Sequence, residues 1–288
     1  MLKLSHQDWS NSAEAHRSRL SVIVDNHILT RTHGIKHPVY DFLFSYYSFS
    51  SGQLLRWSPG INVGLEAKTQ EQLDWKEYYR SDEGYYSIDP NLFPERRIPF
   101  LKWAINYLQL TAARPPVFHC FGLHEWAMLY KSKNKQHPHV PLRIKQKILD
   151  DLVEQRPLCC SHYDAYRFFT PEAKPMNKSQ LHRDTVPTHE QPGCIHANMD
   201  LYKLGYKIAP FISSDLLAEL FLIARKAREI DMRASPYDIS EYGFIAIPIE
   251  TKEGREEYVT EQKNLYMAGQ ELRTSLIASY QTLLYTKH

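Results

Sequence analysis

Apolar residues recur at helical spacing in the C-terminal half of the chain, most regularly between Phe211 and Asp231. An apolar position returns there every three or four residues, which is the period of one face of an α-helix. Ser213 or Ser214 can cap the N-terminus, and Asp215 suits the positive end of the helix dipole. The pattern therefore predicts a long amphipathic helix. Its apolar stripe consists of Leu216, Leu220, Ile223, Ala227 and Ile230.

Weaker forms of the same period predict further helices. These helices cover residues 4–32, 99–114, 118–131, 143–154, 195–208 and 256–286. Short apolar runs at residues 84–88 and 244–249 predict strands, and the polar, proline-containing stretch 170–191 predicts a long surface loop. The predicted fold class is mainly α: a multi-helix globular domain with a minor β part and long loops. We expect residues 1–98, an N-terminal helix plus an aromatic, loop-rich segment, to pack on a helical core of residues 99–288 in one compact unit.

The composition fits an ordinary soluble globular protein. The chain has 288 residues, of which 43% are hydrophobic and 24% charged, and its formal net charge is +2. This charge gives no sign of a strongly basic face that grips many phosphates. No apolar run approaches the roughly 18–20 residues of a membrane span, and the N-terminus lacks the apolar core of a signal peptide. Because four cysteines do not make a disulfide framework in a chain of this length, we expect a cytoplasmic protein with no membrane partner.

Three places in the sequence put a cysteine close to a histidine and a carboxylate. The groups are Cys120–His124 with Glu125, Cys160–His162 with Asp164, and Cys194–His196 with Asp200. Sulfur, imidazole and carboxylate are zinc ligands, and imidazole with carboxylate also suits non-haem iron. The same groups serve metal-free acid–base catalysis when a carboxylate orients a histidine. The competing interpretation is structural, since a free cysteine often behaves as a small buried apolar group.

Aromatic residues stand next to two of these groups. Residues 162–169 read HYDAYRFF, and Trp126 follows Glu125. Flat rings stack on planar substrates, so an aromatic-lined pocket is one interpretation and an ordinary aromatic core is the other. We expect Asp231 to end its helix in an arginine–aspartate pair, a structural role. The histidines expected at the surface are His6, His16, His137, His139, His182, His189 and His288.

Five stretches together resemble a bacterial family commonly labelled 3-methyladenine DNA glycosylase. They are residues 37–44 (HPVYDFLF), 120–128 (CFGLHEWAM), 162–169 (HYDAYRFF), 191–203 (QPGCIHANMDLYK) and 231–238 (DMRASPYD). The resemblance spans residues 37–258, and His119 and Gly205 depart from its pattern. It implies hydrolysis of the N-glycosidic bond of 3-methyladenine in DNA, in which aromatic rings hold a flipped base and an acid activates water. The sequence carries no helix-hairpin-helix and no helical repeat array.

The leading hypothesis is an enzyme with one buried pocket for a planar substrate. Its expected catalytic residues are Glu125, Asp164, His196 and Asp200, and its expected substrate-binding residues are Trp126, Tyr163, Tyr166 and Lys203. A second hypothesis is a metal-dependent enzyme acting on a small molecule, with no DNA role. Its zinc or iron ligands would be His124, His162, His196 and Asp200. A third is a protein that binds a planar ligand without turnover, so the expected partners are alkylated DNA or a small planar molecule.

Overall fold

Helices dominate the computed structural model, which describes residues 1–81 and 83–287, and the mainly α class is confirmed. The α-helices are α1 (His6–Thr32), α2 (Asp41–Ser45), α3 (Ser51–Leu54), α4 (Ile98–Ala113), α5 (Leu123–Ala127), α6 (Gln146–Gln155), α7 (Tyr163–Tyr166), α8 (Val186–His189), α9 (Ile195–Tyr206), α10 (Ser214–Ala234) and α11 (Lys252–Thr286). The strands are β1 (Leu2–Leu4), β2 (Val63–Leu65), β3 (Tyr78–Arg80) and β4 (Tyr86–Ile88). They form a sheet in the order β1-β2-β4-β3, with β1 parallel to β2 and the other pairs antiparallel.

Helices α9, α10 and α11 pack on one another at the centre of the fold, and α4 lies against α11. Ser213 caps α10 as its sequence predicts, by accepting a hydrogen bond from a backbone amide in the first turn. Helices α9 and α11 approach closely at Gly269, where an added Cβ would lie 2.1 Å from Oδ1 of Asn198. The same oxygen of the fully buried Asn198 accepts a hydrogen bond from Arg273 at 2.8 Å. These contacts fix the position of α9 relative to α11.

The N-terminal segment is tied to α10 and to the sheet by specific contacts. The Ser58 carbonyl accepts from the Ser214 amide at 2.8 Å, and the Ser58 amide donates to the Ser214 hydroxyl at 2.8 Å. Trp9 of α1 stacks on Trp57 with ring centroids 6.5 Å apart and donates to the Glu66 carbonyl at 2.8 Å. The chain between α1 and α3 is thereby held beside α9 and α10, where its aromatic rings can form the wall of a cavity.

The helix predicted over residues 118–131 is limited in the structure to the single turn of α5. Phe121 and Gly122 have positive φ angles of 48° and 73°, so the chain turns sharply just before α5 begins. Glycine adopts such angles without steric cost, which explains why the turn falls here. Cys120 lies before this turn and therefore does not share a helical face with His124, contrary to the prediction.

Two other segments also differ from the prediction. Residues 244–249 are irregular rather than a strand, and Pro248 has no amide to donate to a neighbouring strand. Residues 170–191 are not entirely a surface loop: they contain the short helix α8 and, near their end, the completely buried Glu190. The surface prediction was also wrong for His16, which is buried with Nε2 2.9 Å from the Leu54 carbonyl oxygen.

No helix in the described part of the chain is both long and apolar enough to cross a membrane. His6, His139 and His182 are exposed as predicted, whereas His288 lies outside the described residues.

Candidate functional site

Three imidazoles meet between α5, α7 and α9. The rings of His124 and His196 are nearly perpendicular, with centroids 4.6 Å apart. The rings of His162 and His196 are nearly parallel, with centroids 5.1 Å apart. His124 stands on α5, His162 immediately precedes α7, and His196 lies in the first turn of α9. The fold therefore brings together the histidines of the three cysteine–histidine groups in the sequence.

A buried carboxylate of α10 orients His124. Nε2 of His124 lies 2.6 Å from Oδ1 of Asp231, whose side chain is completely buried. Arg228 donates to the other oxygen of Asp231 at 2.8 Å. Burial alone would raise the pKa of Asp231, but His124, His196 and Arg228 hold that pKa well below its ordinary value. Asp231 is therefore a permanent carboxylate within the site, and α10 continues past it to Ala234.

A second buried carboxylate orients His162. Nδ1 of His162 lies 2.6 Å from Oε2 of Glu190, whose side chain is also completely buried. Nε2 of the same ring lies 3.9 Å from Oδ2 of Asp200. Burial lowers the pKa of His162, but Glu190 and then Asp200 raise it above the ordinary value. His162 therefore keeps its second proton more readily than a free histidine.

His196 lies between these two pairs and has a different environment. Its Nε2 is 3.9 Å from Oδ2 of Asp231, beyond hydrogen-bond distance, and within the described residues neither ring nitrogen has a hydrogen-bond partner. Burial, and then the neighbouring His124, lowers the pKa of His196 well below its ordinary value. The side chain remains 14% exposed and lines a cavity. His196 is therefore a neutral imidazole that can accept a proton or a metal ion.

A second polar cluster, centred on Lys203, lies beside His162. Nζ of Lys203 donates to Asp164 at 3.0 Å and to Asp200 at 3.1 Å. Tyr46 donates to Asp164 at 2.9 Å. Burial raises the pKa of Asp164, but Lys203 outweighs it and the net pKa falls to about 2. Because both oxygens of Asp164 are already engaged, by Lys203 and Tyr46 on one side and by Arg167 on the other, Asp164 is placed to hold Lys203 rather than to activate water.

Glu125 and Arg228 form a third polar contact at the cavity. Nη1 of Arg228 lies 3.3 Å from Oε1 of Glu125, and both side chains are buried. Burial, and then the charge of Asp231, raises the pKa of Glu125. Arg228 also reaches Nε2 of His137 at 3.3 Å. His137 lines the cavity, so its predicted place at the surface is wrong.

The cavity has a volume of about 180 Å³ and combines these polar groups with an aromatic wall. Phe42 and Tyr46 contribute stacked rings with centroids 4.7 Å apart, and Phe168 and Met199 add further apolar surface. Drug-sized ligands usually occupy pockets of roughly 300–1,000 Å³. The smaller volume here, with rings on one part of the wall and acid–base groups on another, suits a small planar molecule with polar edges.

The residues expected to bind substrate are distributed over different environments. Trp126 is completely buried and donates to the Ala234 carbonyl at 2.9 Å, so it belongs to the core and not to the cavity. Tyr166 is also buried and donates to Gln180 at 2.6 Å, away from the cavity. Tyr163 and Lys203 line an adjoining cleft. The rings that line the cavity, from residues 42–47 and Phe168, are therefore mostly not the ones expected from the sequence.

The cysteines lie on another side of the imidazoles. Cys120, Cys160 and Cys194 border a space of about 10 Å³ that also touches His124 and His196. Burial raises the pKa of each of these three thiols. A protonated thiol is a poor nucleophile. Cys120, Cys160 and Cys194 therefore lie outside the cavity and, with raised thiol pKa values, are poor candidates for covalent catalysis.

Within residues 1–81 and 83–287, three sets of donor atoms are close enough to hold a metal ion, with all donors of a set within 4.8 Å of one another. The sets are His124, His196 and Asp231; His162, Asp164 and Asp200; and His162, Glu190 and Cys194. The metal ligands expected from the sequence are thus divided between sets. Arg228 and Lys203 already provide positive charge to the carboxylates of the first two sets.

No family model, curated protein or solved structure matches this chain.

Proposed function

We propose that the protein is a cytoplasmic enzyme that carries out acid–base chemistry on a small planar molecule in the 180 Å³ cavity. The observation that carries the proposal is His196, an imidazole without a hydrogen-bond partner within the described residues that faces an aromatic-walled cavity. On either side of it, a buried carboxylate fixes the orientation of a further histidine. Carboxylate-oriented histidines beside a neutral one are the kind of arrangement that general acid–base catalysis uses.

The reaction that we propose is hydrolysis of the N-glycosidic bond of 3-methyladenine, the reaction implied by the family resemblance. His196 accepts a proton from water, and the water oxygen bonds to the anomeric carbon of the sugar. The bond between that carbon and the ring nitrogen breaks, and its electron pair stays on the departing base. Because the 3-methylated ring is cationic before cleavage, it leaves as a neutral base and needs no added proton.

The charges around the cavity are suited to a cationic ring. Phe42 and Tyr46 present aromatic faces of the kind that attract cations: within the protein, Arg228 lies over the Phe42 ring at 4.4 Å and Lys203 over the Tyr46 ring at 5.4 Å. Asp200, which also pairs with Lys203 at 3.1 Å, adds a carboxylate to the lining. Glu125 adds a second acidic group whose raised pKa lets it also act as a proton donor for a neutral substrate. These features favour an alkylated purine over an anionic ring.

The proposal is tested by incubating the purified protein with DNA that contains 3-methyladenine and measuring free base by chromatography. We expect release by the wild type and a fall of about 10²-fold or more in His196→Ala, in line with the usual contribution of a general base. The matched control is His182→Ala, which removes an exposed imidazole. Absence of free base at high enzyme concentration, or equal rates in both variants, would count against the proposal.

A metal-dependent enzyme is the second candidate, and the close donor sets around His124 and His162 favour it specifically. In this version His196 is a ligand for zinc or iron rather than a base. Elemental analysis of the purified protein separates the two candidates. About one metal ion per chain, lost in His124→Ala, would support the metal site. Tight capture of a planar ligand with no product over long incubation would instead support the non-catalytic binding protein.

A further inference from the structure

A second, larger cleft adjoins the cavity. It has a volume of about 740 Å³, and its lining shares His162, Asp164 and Asp200 with that of the cavity. Its remaining walls come from α4, from Tyr163 and Arg167 at α7, from the segment around α8 and from the C-terminal end of α9. The cavity and the cleft are therefore adjacent at these three side chains.

The cleft carries positive charge that the protein itself does not neutralise. Lys207 and Arg183 line it, and Arg97 lies beside Lys207, donating a hydrogen bond to its carbonyl oxygen. No carboxylate oxygen in residues 1–81 and 83–287 lies within 4.0 Å, the distance limit for a salt bridge, of any of these three cations. Burial, and then the neighbouring Lys203 and Arg97, lowers the pKa of Lys207. A half-buried lysine among other cations is costly unless an anion is bound.

The acidic groups of the cleft do not remove this excess. Asp164 and Asp200 are already paired with two cations: Lys203 contacts both carboxylates, and Arg167, which also lines the cleft, lies 3.2 Å from Asp164. Asp184 is an exposed carboxylate on the rim next to Arg183. The charge that remains inside the cleft is therefore positive and centred on Lys207.

Aromatic rings line the cleft beside these cations. Trp103 is 41% exposed although it is a large apolar residue. Its ring is nearly parallel to that of Tyr107 at 5.2 Å and to that of Phe100 at 6.0 Å. Lys207 lies over the Phe100 ring, with Nζ 5.0 Å from its centroid. An exposed tryptophan face next to an unpaired ammonium is suited to a ligand with both flat and anionic parts.

We propose that the cleft binds a phosphate group carried by the planar substrate, with Lys207 and Arg183 as its main contacts. Ammonium and guanidinium groups together favour a phosphate monoester over a carboxylate because the phosphate carries up to two negative charges and three acceptor oxygens, against one charge and two oxygens. This inference rests on the proposed function in one respect: it assigns the ring of the same molecule to the cavity. The substrate class is then a nucleotide, either a free monophosphate or part of a nucleic-acid strand.

The first test uses inorganic phosphate alone and measures its binding by calorimetry at constant ionic strength. We expect wild-type protein to bind phosphate and Lys207→Met to bind it about tenfold or more weakly, since a charge-assisted hydrogen bond is lost. Lys145→Met is the matched control, because Lys145 is exposed and lines neither the cavity nor the cleft. Acetate bound as tightly as phosphate, or equal binding by both variants, would overturn the proposal.

The second test compares the 3-methyladenine nucleoside, its 5′-monophosphate and a short single strand that contains it. We expect Lys207→Met to weaken the two phosphate-bearing ligands and to leave nucleoside binding unchanged. The stronger phosphate-bearing ligand identifies the source, because only the strand offers phosphodiesters. Phosphate-dependent binding without any base release would support the cleft while refuting the proposed reaction. Base release that depends neither on the phosphate nor on Lys207 would support the proposed reaction and refute phosphate binding in the cleft.

Discussion

Replacing Asp231 with asparagine tests the central electrostatic arrangement of the site. The substitution keeps the shape of the side chain but removes its charge. The carboxylate is completely buried, accepts from Arg228 at 2.8 Å and lies 2.6 Å from Nε2 of His124. In the variant, Arg228 retains only Glu125, at 3.3 Å, as a carboxylate partner within the described residues. We therefore expect Asp231→Asn to destabilise the protein.

The expected size follows from the cost of leaving a buried cation without its partner. Breaking a buried ion pair by changing one member costs about 3–5 kcal/mol. The lower value, about 3 kcal/mol, applies here because asparagine still offers one acceptor oxygen and Glu125 stays near Arg228. For a protein of this size, that loss lowers the melting temperature by roughly 5 °C. The variant should still fold, since natural proteins are stable by about 5–15 kcal/mol.

Urea denaturation of wild type, Asp231→Asn and Asp215→Asn measures the effect. Asp215 is exposed in the first turn of the same helix, and its charge there is worth only about 0.3–1 kcal/mol. The pKa of Asp231 lies below its ordinary 3.8 in the folded protein. Its stabilisation is therefore present above pH 3.8 and is lost as the pH falls through the folded-state pKa, so the gap between wild type and variant should narrow there. Free energies within about 0.5 kcal/mol of the Asp215→Asn control would refute the reasoning.

Two further predictions concern α9. Gly269→Ala should destabilise the protein by about 1–3 kcal/mol, because the added Cβ would lie 2.1 Å from Oδ1 of Asn198. In thermal unfolding, Gly52→Ala is the control and should be neutral or slightly stabilising, as nothing lies within 4 Å of its Cβ; equal melting temperatures for the two would contradict the close packing. Lys203→Met should raise the pKa of Asp164 from about 2 toward its ordinary 3.8, so that the stability Asp164 provides above pH 3.8 is reduced. Carbon NMR titration measures that pKa, and an unchanged value would exclude Lys203 as the cause.

The sequence predicts the long helices well because their stability depends on repeated local patterns. The predicted helix of residues 211–231 is observed as Ser214–Ala234, and that of residues 256–286 as Lys252–Thr286. Each has an apolar stripe that can be recognised without knowing what packs against it. The helix predicted over residues 118–131 was too long. The positive φ angles of Phe121 and Gly122 prevent a helix from starting before α5, although the residues around them are apolar.

The site was only partly predictable because its pairs join residues far apart in the chain. Glu190 is 28 residues from its partner His162, and it follows a polar stretch that favoured a surface loop. Asp231 is 107 residues from His124. A local signal existed for one of these pairs. Arg228 and Asp231 are three residues apart, and each comes directly after a residue of the apolar stripe of α10. Charges on the buried face of an amphipathic helix indicate a partner or a function.

The placement of these charges argues for chemistry rather than for stability. Replacing a buried ion pair with well-packed apolar side chains is often neutral or stabilising by about 1–4 kcal/mol. The core around α10 also contains fully buried apolar residues such as Leu220 and Ile230, which hold α10 in place by packing independently of Arg228 and Asp231. A cluster with a purely structural role would also provide a hydrogen-bond partner for each of its own polar atoms. Here His196 leaves both ring nitrogens without a partner in the described chain and faces a cavity, which is the arrangement expected where a ligand completes the network.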